Sequence, residues 1–129
     1  MKETQVSVFV ANRPGELARL TSQLASFQIN ITAISVSDSY EHGLVRMITT
    51  DPERAAALLR EMGYGFVQTQ VLTTDIPDRP GALAELCQEL ADAQVNIRYI
   101  YATVTPGGGV AMAVFSTDDD ERAEQVLSG

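Results

Sequence analysis

Residues 12 to 18 read Asn-Arg-Pro-Gly-Glu-Leu-Ala, and residues 78 to 84 read Asp-Arg-Pro-Gly-Ala-Leu-Ala. At this offset of 66 the match continues without a gap from Asn12–Ile34 to Asp78–Ile100, with 12 identities in 23 positions, among them Arg13/Arg79, Leu20/Leu86, Leu24/Leu90, Gln28/Gln94 and Asn30/Asn96. A repeat of that length exceeds a solenoid unit and is long enough to be a small folded module. The 129 residues therefore read as two modules sharing a core, divided at 1–66 and 67–129, rather than as one ordinary domain.

Periodicity gives the same order of elements in both copies. Residues 4 to 11 are β-branched and alternate, marking a strand with Val6, Val8 and Val10 on one face. Leu17, Leu20, Leu24 and Phe27 recur at helical spacing and predict a helix over about 14–27. A strand over 30–37, a turn-rich segment at 38–43 and a strand over 44–50 make a hairpin. Asp51 is placed to cap a second helix, with Pro52 in its first turn, Ala55, Leu58, Leu59 and Met62 on its buried side, and Gly63 ending it.

The eleven residues from Phe66 to Ile76 contain no turn signal, so they predict one long strand that closes the first copy and opens the second. The second copy continues with a helix (80–93), a strand (96–105), a hairpin tip at Pro106–Gly109, a strand (110–117) and a helix (118–127). Its own pattern supplies no fourth strand. Residues 1 to 5, which the offset sets against 67 to 71, are the segment expected to fill that place. The expectation is an α+β fold of two ferredoxin-like βαββαβ units, an antiparallel sheet with helices on one face, and long strands shared between the repeats. The other face, where Phe9 and Tyr99 or Tyr101 emerge, is expected to be open and to make a homodimer contact.

Composition excludes several function classes. Seventeen acidic against nine basic residues give a net charge of −8, so no basic stripe exists to neutralise nucleic-acid phosphates or an anionic membrane surface. No apolar run approaches the roughly 20 residues that span a bilayer, and no signal peptide precedes the first strand. A single cysteine cannot form an internal disulfide, and the cytoplasm is the expected compartment.

Within the repeated stretch, Asn12 or Asp78 favours a turn or cap, Pro14 or Pro80 sets φ, and Gly15 or Gly81 allows another molecule to approach the backbone. The N–H groups of residues 15–17 and 81–83 are expected to stay unpaired at the positive end of a helix, where a carboxylate binds well. Asx-x-Pro-Gly is also simply a good helix start, and taken alone it favours that plainer reading. The companion signal is Gln28-Ile29-Asn30-Ile31, repeated as Gln94-Val95-Asn96-Ile97, at the helix end and the start of the next strand. Together the two signals, once per repeat and over nearly the whole chain, resemble the ACT domain, a small regulatory module that binds amino acids in many biosynthetic enzymes.

The resemblance implies regulation by a small molecule, an amino acid, bound where two such modules meet, with no catalysis and no cofactor. Carried over by position, the ligand's polar ends would meet Asn12, Arg13, Gly15, Glu16 and Leu17 in the first copy and Asp78, Arg79, Gly81, Ala82 and Leu83 in the second. Asn30 and Asn96 would add side-chain amides. The copies differ: Asp78 suits an ammonium group better than Asn12 does, and Ala33 and Ser35 correspond to Tyr99 and Tyr101, so the two pockets differ in size and polarity.

Other chemistry-bearing residues read more plainly. His42, the only histidine, has no second ligand beside it and reads as a loop residue. Cys87 stands where the first copy has Thr21 and reads as a packing residue on a helix. Asp118-Asp119-Asp120-Glu121 begins a helix, where acids cap rather than hold a metal. Pro106-Gly107-Gly108-Gly109 lacks the helix and the Lys-Ser or Lys-Thr pair of a phosphate-binding loop and reads as a flexible hairpin. Three functions remain in order: an amino-acid-binding regulator of a separate enzyme or regulator, a non-catalytic interaction subunit with no ligand, and, for want of any nucleophile with a base, an enzyme last.

Overall fold

The computed structural model describes residues 1–39, 42–104 and 108–128. The readings made for the His42 side chain and for Pro106-Gly107 lie outside the described residues. The elements in chain order are β1 (Lys2–Ala11), α1 (Glu16–Ser26), β2 (Ile31–Ser39), β3 (His42–Thr49), α2 (Pro52–Glu61), β4 (Gly65–Pro77), α3 (Ala82–Asp92), β5 (Ile97–Val104), β6 (Val110–Thr117) and α4 (Asp120–Ser128). This is the expected α+β order, βαββα twice around one long strand. Two compact units result, one of residues Thr4–Gln70 and one of Met1–Glu3 with Val71–Gly129.

In the first unit the hydrogen-bonded strand order is β2-β3-β1-β4. Register puts Val6 opposite Met47 and Val8 opposite Val45, so these apolar side chains share one face of the antiparallel ladder. Both helices bury their stripes against that face: Leu20 and Leu24 of α1 and Ala55, Leu58 and Leu59 of α2 join Val6, Val8, Val10, Val45 and Met47 in one core. The stripe of α1 is shorter than its spacing predicts. Leu17 and Phe27 are 38% and 48% exposed because they overhang the ends of an 11-residue helix.

The face away from the helices is only partly open. Phe9 and Val67 are exposed there, whereas Gln5, Ala33 and Ile48 are buried. Tyr99 and Tyr101, on the corresponding face of the second unit, are half-buried.

In the second unit the order is β1-β4-β6-β5, and its core joins Leu72, Leu86, Leu90, Phe115 and Ala123. Here β1 contributes Met1–Glu3. The Met1 ammonium donates to Thr73 O and the Thr73 N–H donates to Met1 O, both at 2.8 Å, a reciprocal antiparallel pair. Three residues further along β1, Gln70 Nε2 donates to Thr4 Oγ1 at 3.0 Å within the first unit.

Helix ends repeat device for device. Gln28 and Gln94 adopt φ of 61° and 64°, a left-handed conformation that is rare without glycine. Each sits one residue past its helix cap: the Gln28 N–H donates to Ala25 O and the Ile29 N–H to Leu24 O, and Gln94 and Val95 do the same to Ala91 and Leu90. This is a Schellman stop, with buried Ile29 or Val95 closing over buried Leu24 or Leu90. Asp51 and Asp119 each accept from the backbone N–H three residues on, Arg54 and Arg122. Those arginines in turn donate to Phe27 O (2.7 Å) and Ala93 O (3.0 Å), placing a cation at the negative end of the preceding helix.

The acidic run thus has structural partners: Asp118 accepts from the Asn96 N–H, Asp119 caps α4, and Asp120 accepts from the Thr117 N–H and hydroxyl. The hairpin from Ile31 to its partner Thr49 is two residues shorter than that from Ile97 to its partner Thr117, so Thr49 corresponds to Thr117 and Pro52 to Asp120. Proline offers no acceptor side chain. Thr49 Oγ1 is accordingly buried without a hydrogen bond.

These contacts set the sign of two changes in stability. Thr49→Val removes an unsatisfied buried hydroxyl and should stabilise by about 1 kcal/mol, whereas Thr117→Val strands Asp120 and should destabilise by about 1–2 kcal/mol. Urea denaturation midpoints of opposite sign check this pair. Gln28→Gly relieves a left-handed residue at a cost of about 1–2 kcal/mol, partly offset by unfolded-chain entropy, and should raise the melting temperature by a few degrees.

Candidate ligand site

Strand β1 ends at Ala11, and the chain must reverse to lay α1 back across the sheet. A three-residue turn comes first, with the Arg13 N–H donating to Ala11 O at 3.0 Å around Asn12. A β-turn follows: the Glu16 N–H donates to Arg13 O at 3.4 Å across Pro14 and Gly15. Gly15 has φ 89° and ψ −15°, the values of the third position of a type II turn, and Pro14 occupies the second position that proline favours. Gly81 repeats this at φ 93° and ψ −18°, between an Arg79-to-Pro77 turn and an Ala82-to-Arg79 bond of 3.2 Å.

Glycine is required here by its dihedral angle. No atom lies within 4 Å of where a Cβ on Gly15 would stand, so the restriction is conformational and not one of space.

This geometry corrects the local reading of the sequence. The prolines lie outside the helices, which begin at Glu16 and Ala82, and the N-cap residues are the glycines, with no side-chain cap bond. Because the turn itself consumes the Glu16 N–H, the backbone donors without a partner among the described residues are those of Gly15, Leu17 and Ala18, and in the second copy Gly81, Leu83 and Ala84. The Arg19 and Glu85 N–H groups begin the helical ladders by donating to Gly15 O and Gly81 O. Three free N–H groups at the positive end of an 11-residue helix form a cradle for an anion.

The flanking charges are partly committed. Arg13 Nε donates to Glu16 Oε1 at 2.8 Å. Position 82 is alanine, so Arg79 reaches further, donating from Nη2 to Glu85 at 2.9 Å and from Nη1 to Pro80 O at 3.3 Å. The Asp78 N–H donates to Gly109 O at 2.9 Å, which fixes the entry to the second turn.

The asparagines sit elsewhere. Asn30 O accepts from the Thr50 N–H, and the Asn30 N–H donates to Thr50 Oγ1, at the level where Ile31 faces Thr49. Asn12 follows Ala11, which faces His42 at the far end of β3. At about 3.3 Å per residue the two asparagines are some 20 Å or more apart along the strands, so within a single unit no small ligand touches both. Asn96 is set the same way by Asp118. Both amides are exposed.

One cavity, of about 270 Å³, is lined by Asp75, Thr103, Gly108, Val110 and Met112 beside the entry to the second turn, and two others lie away from the turns. One of about 310 Å³ in the second unit is lined by residues including Met1, Leu72, Thr73, Met112 and Leu127, and one of about 180 Å³ in the first by Phe27, Ile29, Arg54 and Leu58 among others. Sequence reasoning singled out neither. The turns are open cradles on the surface.

Comparison with known proteins fits this architecture. The family model described as an ACT domain pair matches residues 1–128. No curated protein matches the chain. Among solved structures, a protein of Bacteroides thetaiotaomicron is similar with a TM-score of 0.93 and 30% identity, over 99% of this chain and 88% of that one. The ligand-free regulatory subunit of aspartate kinase from Thermus thermophilus is similar with a TM-score of 0.73 and 19% identity, over 97% and 88%. The regulatory subunit from Thermus flavus gives 0.68 and 18%, over 99% and 92%. A repeat read from the sequence, a unit fold repeated around β4 and a family model spanning both copies agree: the chain belongs to the ACT domain pair family.

Proposed function

We propose that this protein binds a free amino acid at its Pro-Gly turns and uses that binding to regulate a separate enzyme or regulator. The observation that carries the reading is the turn itself, built twice in a member of this family, with three backbone donors unspent each time. Such a cradle takes a carboxylate, and an amino acid also brings an ammonium that Asp78 suits. Regulation in place of catalysis accords with where the acidic residues at 118–120 are spent, on capping and closing backbone.

The separateness of the target accords with two of the similar structures, which are regulatory subunits of an aspartate kinase. We assign the protein to a homodimer in the cytoplasm. The exposed apolar Phe9 and Val67 on the sheet face away from the helices favour a contact there. Among the described residues no helix is long and apolar enough to cross a membrane.

Ligand control requires only that the amino acid favour one arrangement of modules over another, typically by about 1–3 kcal/mol. A thermal-shift screen of the twenty amino acids and their keto acids tests the binding. One class of amino acid should raise the melting temperature, since a ligand at 100 times its dissociation constant adds about 2.7 kcal/mol to the folded state. A screen with no hit on well-folded protein would reject the proposal in favour of an interaction subunit without a ligand.

A further inference from the structure

The two units fill one place differently. In the first, Tyr64 and Phe66 pack against the core where β4 begins, with the Arg19 guanidinium 5.8 Å from the centre of the Tyr64 ring and that of Arg60 5.6 Å from the centre of the Phe66 ring. The repeat carries this place onto the second unit. Val67, beside Phe66, corresponds to Met1, and Arg60, over the Phe66 ring, corresponds to Ser128. Met1 and Ser128 both line the cavity of about 310 Å³. A space that aromatic rings occupy in one copy is open in the other, and its volume is that of a small-molecule site.

The lining has also changed in kind. Val8 is fully buried in the first unit, Ala56 is 4% exposed, and Phe9 is apolar. Their counterparts are Thr74, Glu124 and Asp75, and all three line this one cavity. Leu72 and Leu127, which belong to the second core, keep one wall of it apolar.

The charge at the cavity is negative. Glu3 joins Asp75 and Glu124 as a third carboxylate, accepting from the Thr73 hydroxyl at 3.3 Å. Of the cations near them, the Met1 ammonium is held by Thr73 O at 2.8 Å, and Lys2 stands 4.0 Å from Glu124 in an exposed pair of the weak kind. Asp75 has no ion pair among the described residues. An incoming carboxylate is repelled by such a lining, whereas an ammonium finds charged acceptors.

We propose that this cavity is a small-molecule site in its own right, and that it takes an aromatic primary amine without a carboxylate. The ring occupies the place that Phe66 fills in the first unit, against Leu72 and Leu127. The ammonium lies between Asp75 and Glu124, with the Thr74 hydroxyl beside it. These residues are not those of the Pro-Gly turns, and the site does not depend on the turns binding an amino acid.

Phenethylamine is the probe, set against its neutral and anionic relatives phenethyl alcohol and phenylacetate on the ¹⁵N-labelled full chain. The amine should shift the amide signals of Thr74, Asp75, Leu127 and Ser128 to saturation, with an affinity at least about tenfold above that of the alcohol. Phenylacetate should leave these signals in place. Asp75→Asn combined with Glu124→Gln keeps the size of both side chains and should bring the amine down to the affinity of the alcohol, whose own binding stays unchanged and reports that the cavity persists. Saturation without shifts at these amides, no binding of the amine, equal affinity of amine and alcohol in the unaltered protein, phenylacetate shifting the same signals, or a preference for the amine that survives the double substitution would each overturn the proposal.

Discussion

Strand β4 runs unbroken for 13 residues, from Gly65 to Pro77, and neither unit is complete without it. Its first half closes the ladder of residues 4–70, and its second half opens that of residues 71–129. Strand β1 is divided in the same way, with Met1–Glu3 paired to Thr73 in the second unit and Thr4 onward in the first. A duplicated chain that merely repeated a closed module would need a linker between the copies, and none separates them along β4. Each hydrophobic core is completed by a strand that the other copy also uses, so a break in β4 withdraws a strand from both.

Around that frame the chain repeats its punctuation more faithfully than its core. The left-handed glutamines, the aspartate caps and the arginines that reach back to the preceding helix recur at matching places, although several core positions change, Val6 to Leu72, Ile29 to Val95 and Met47 to Phe115. The difference has a physical basis. Apolar burial is non-directional and tolerates changes of side chain at similar volume, whereas a chain reversal needs particular dihedral angles and particular hydrogen-bond partners. Where the punctuation does change, as at Pro52 for Asp120, a buried hydroxyl is left without a partner.

Much of this was legible in the sequence because the governing signals are local or periodic. The repeat gave the two units, the 3.6 and 2.0 periods gave the elements, and the absence of any turn residue between Phe66 and Ile76 gave the shared strand. The α2 start at Pro52 follows from its cap and proline, whereas α1, α3 and α4 begin two residues later than the pattern predicts. Pro14 is as acceptable in a type II turn as in a first helical turn, and only the positive φ of Gly15 decides between them. Leu17 and Phe27 fit the apolar period and yet are exposed, since periodicity does not say where a helix outruns the sheet it packs on. The candidate site was legible as a set of residues but not as a place. Asn30 and Asn12 belong to opposite ends of their strands, which follows from register and not from spacing along the chain.

Duplication leaves two copies of the Pro-Gly turn, each of which the fold needs only as a chain reversal. The reversal is secured by Pro14-Gly15 and Pro80-Gly81 alone, which frees the flanking positions to diverge. They have diverged in charge: Glu16 against Ala82, Asn12 against Asp78, and an arginine that pairs with Glu16 in one copy and with Glu85 in the other. A glutamate at the first helical position stabilises its helix in much the way a bound carboxylate would. The first turn thus carries an anion of the chain itself at its first helical position, where the second has the neutral Ala82.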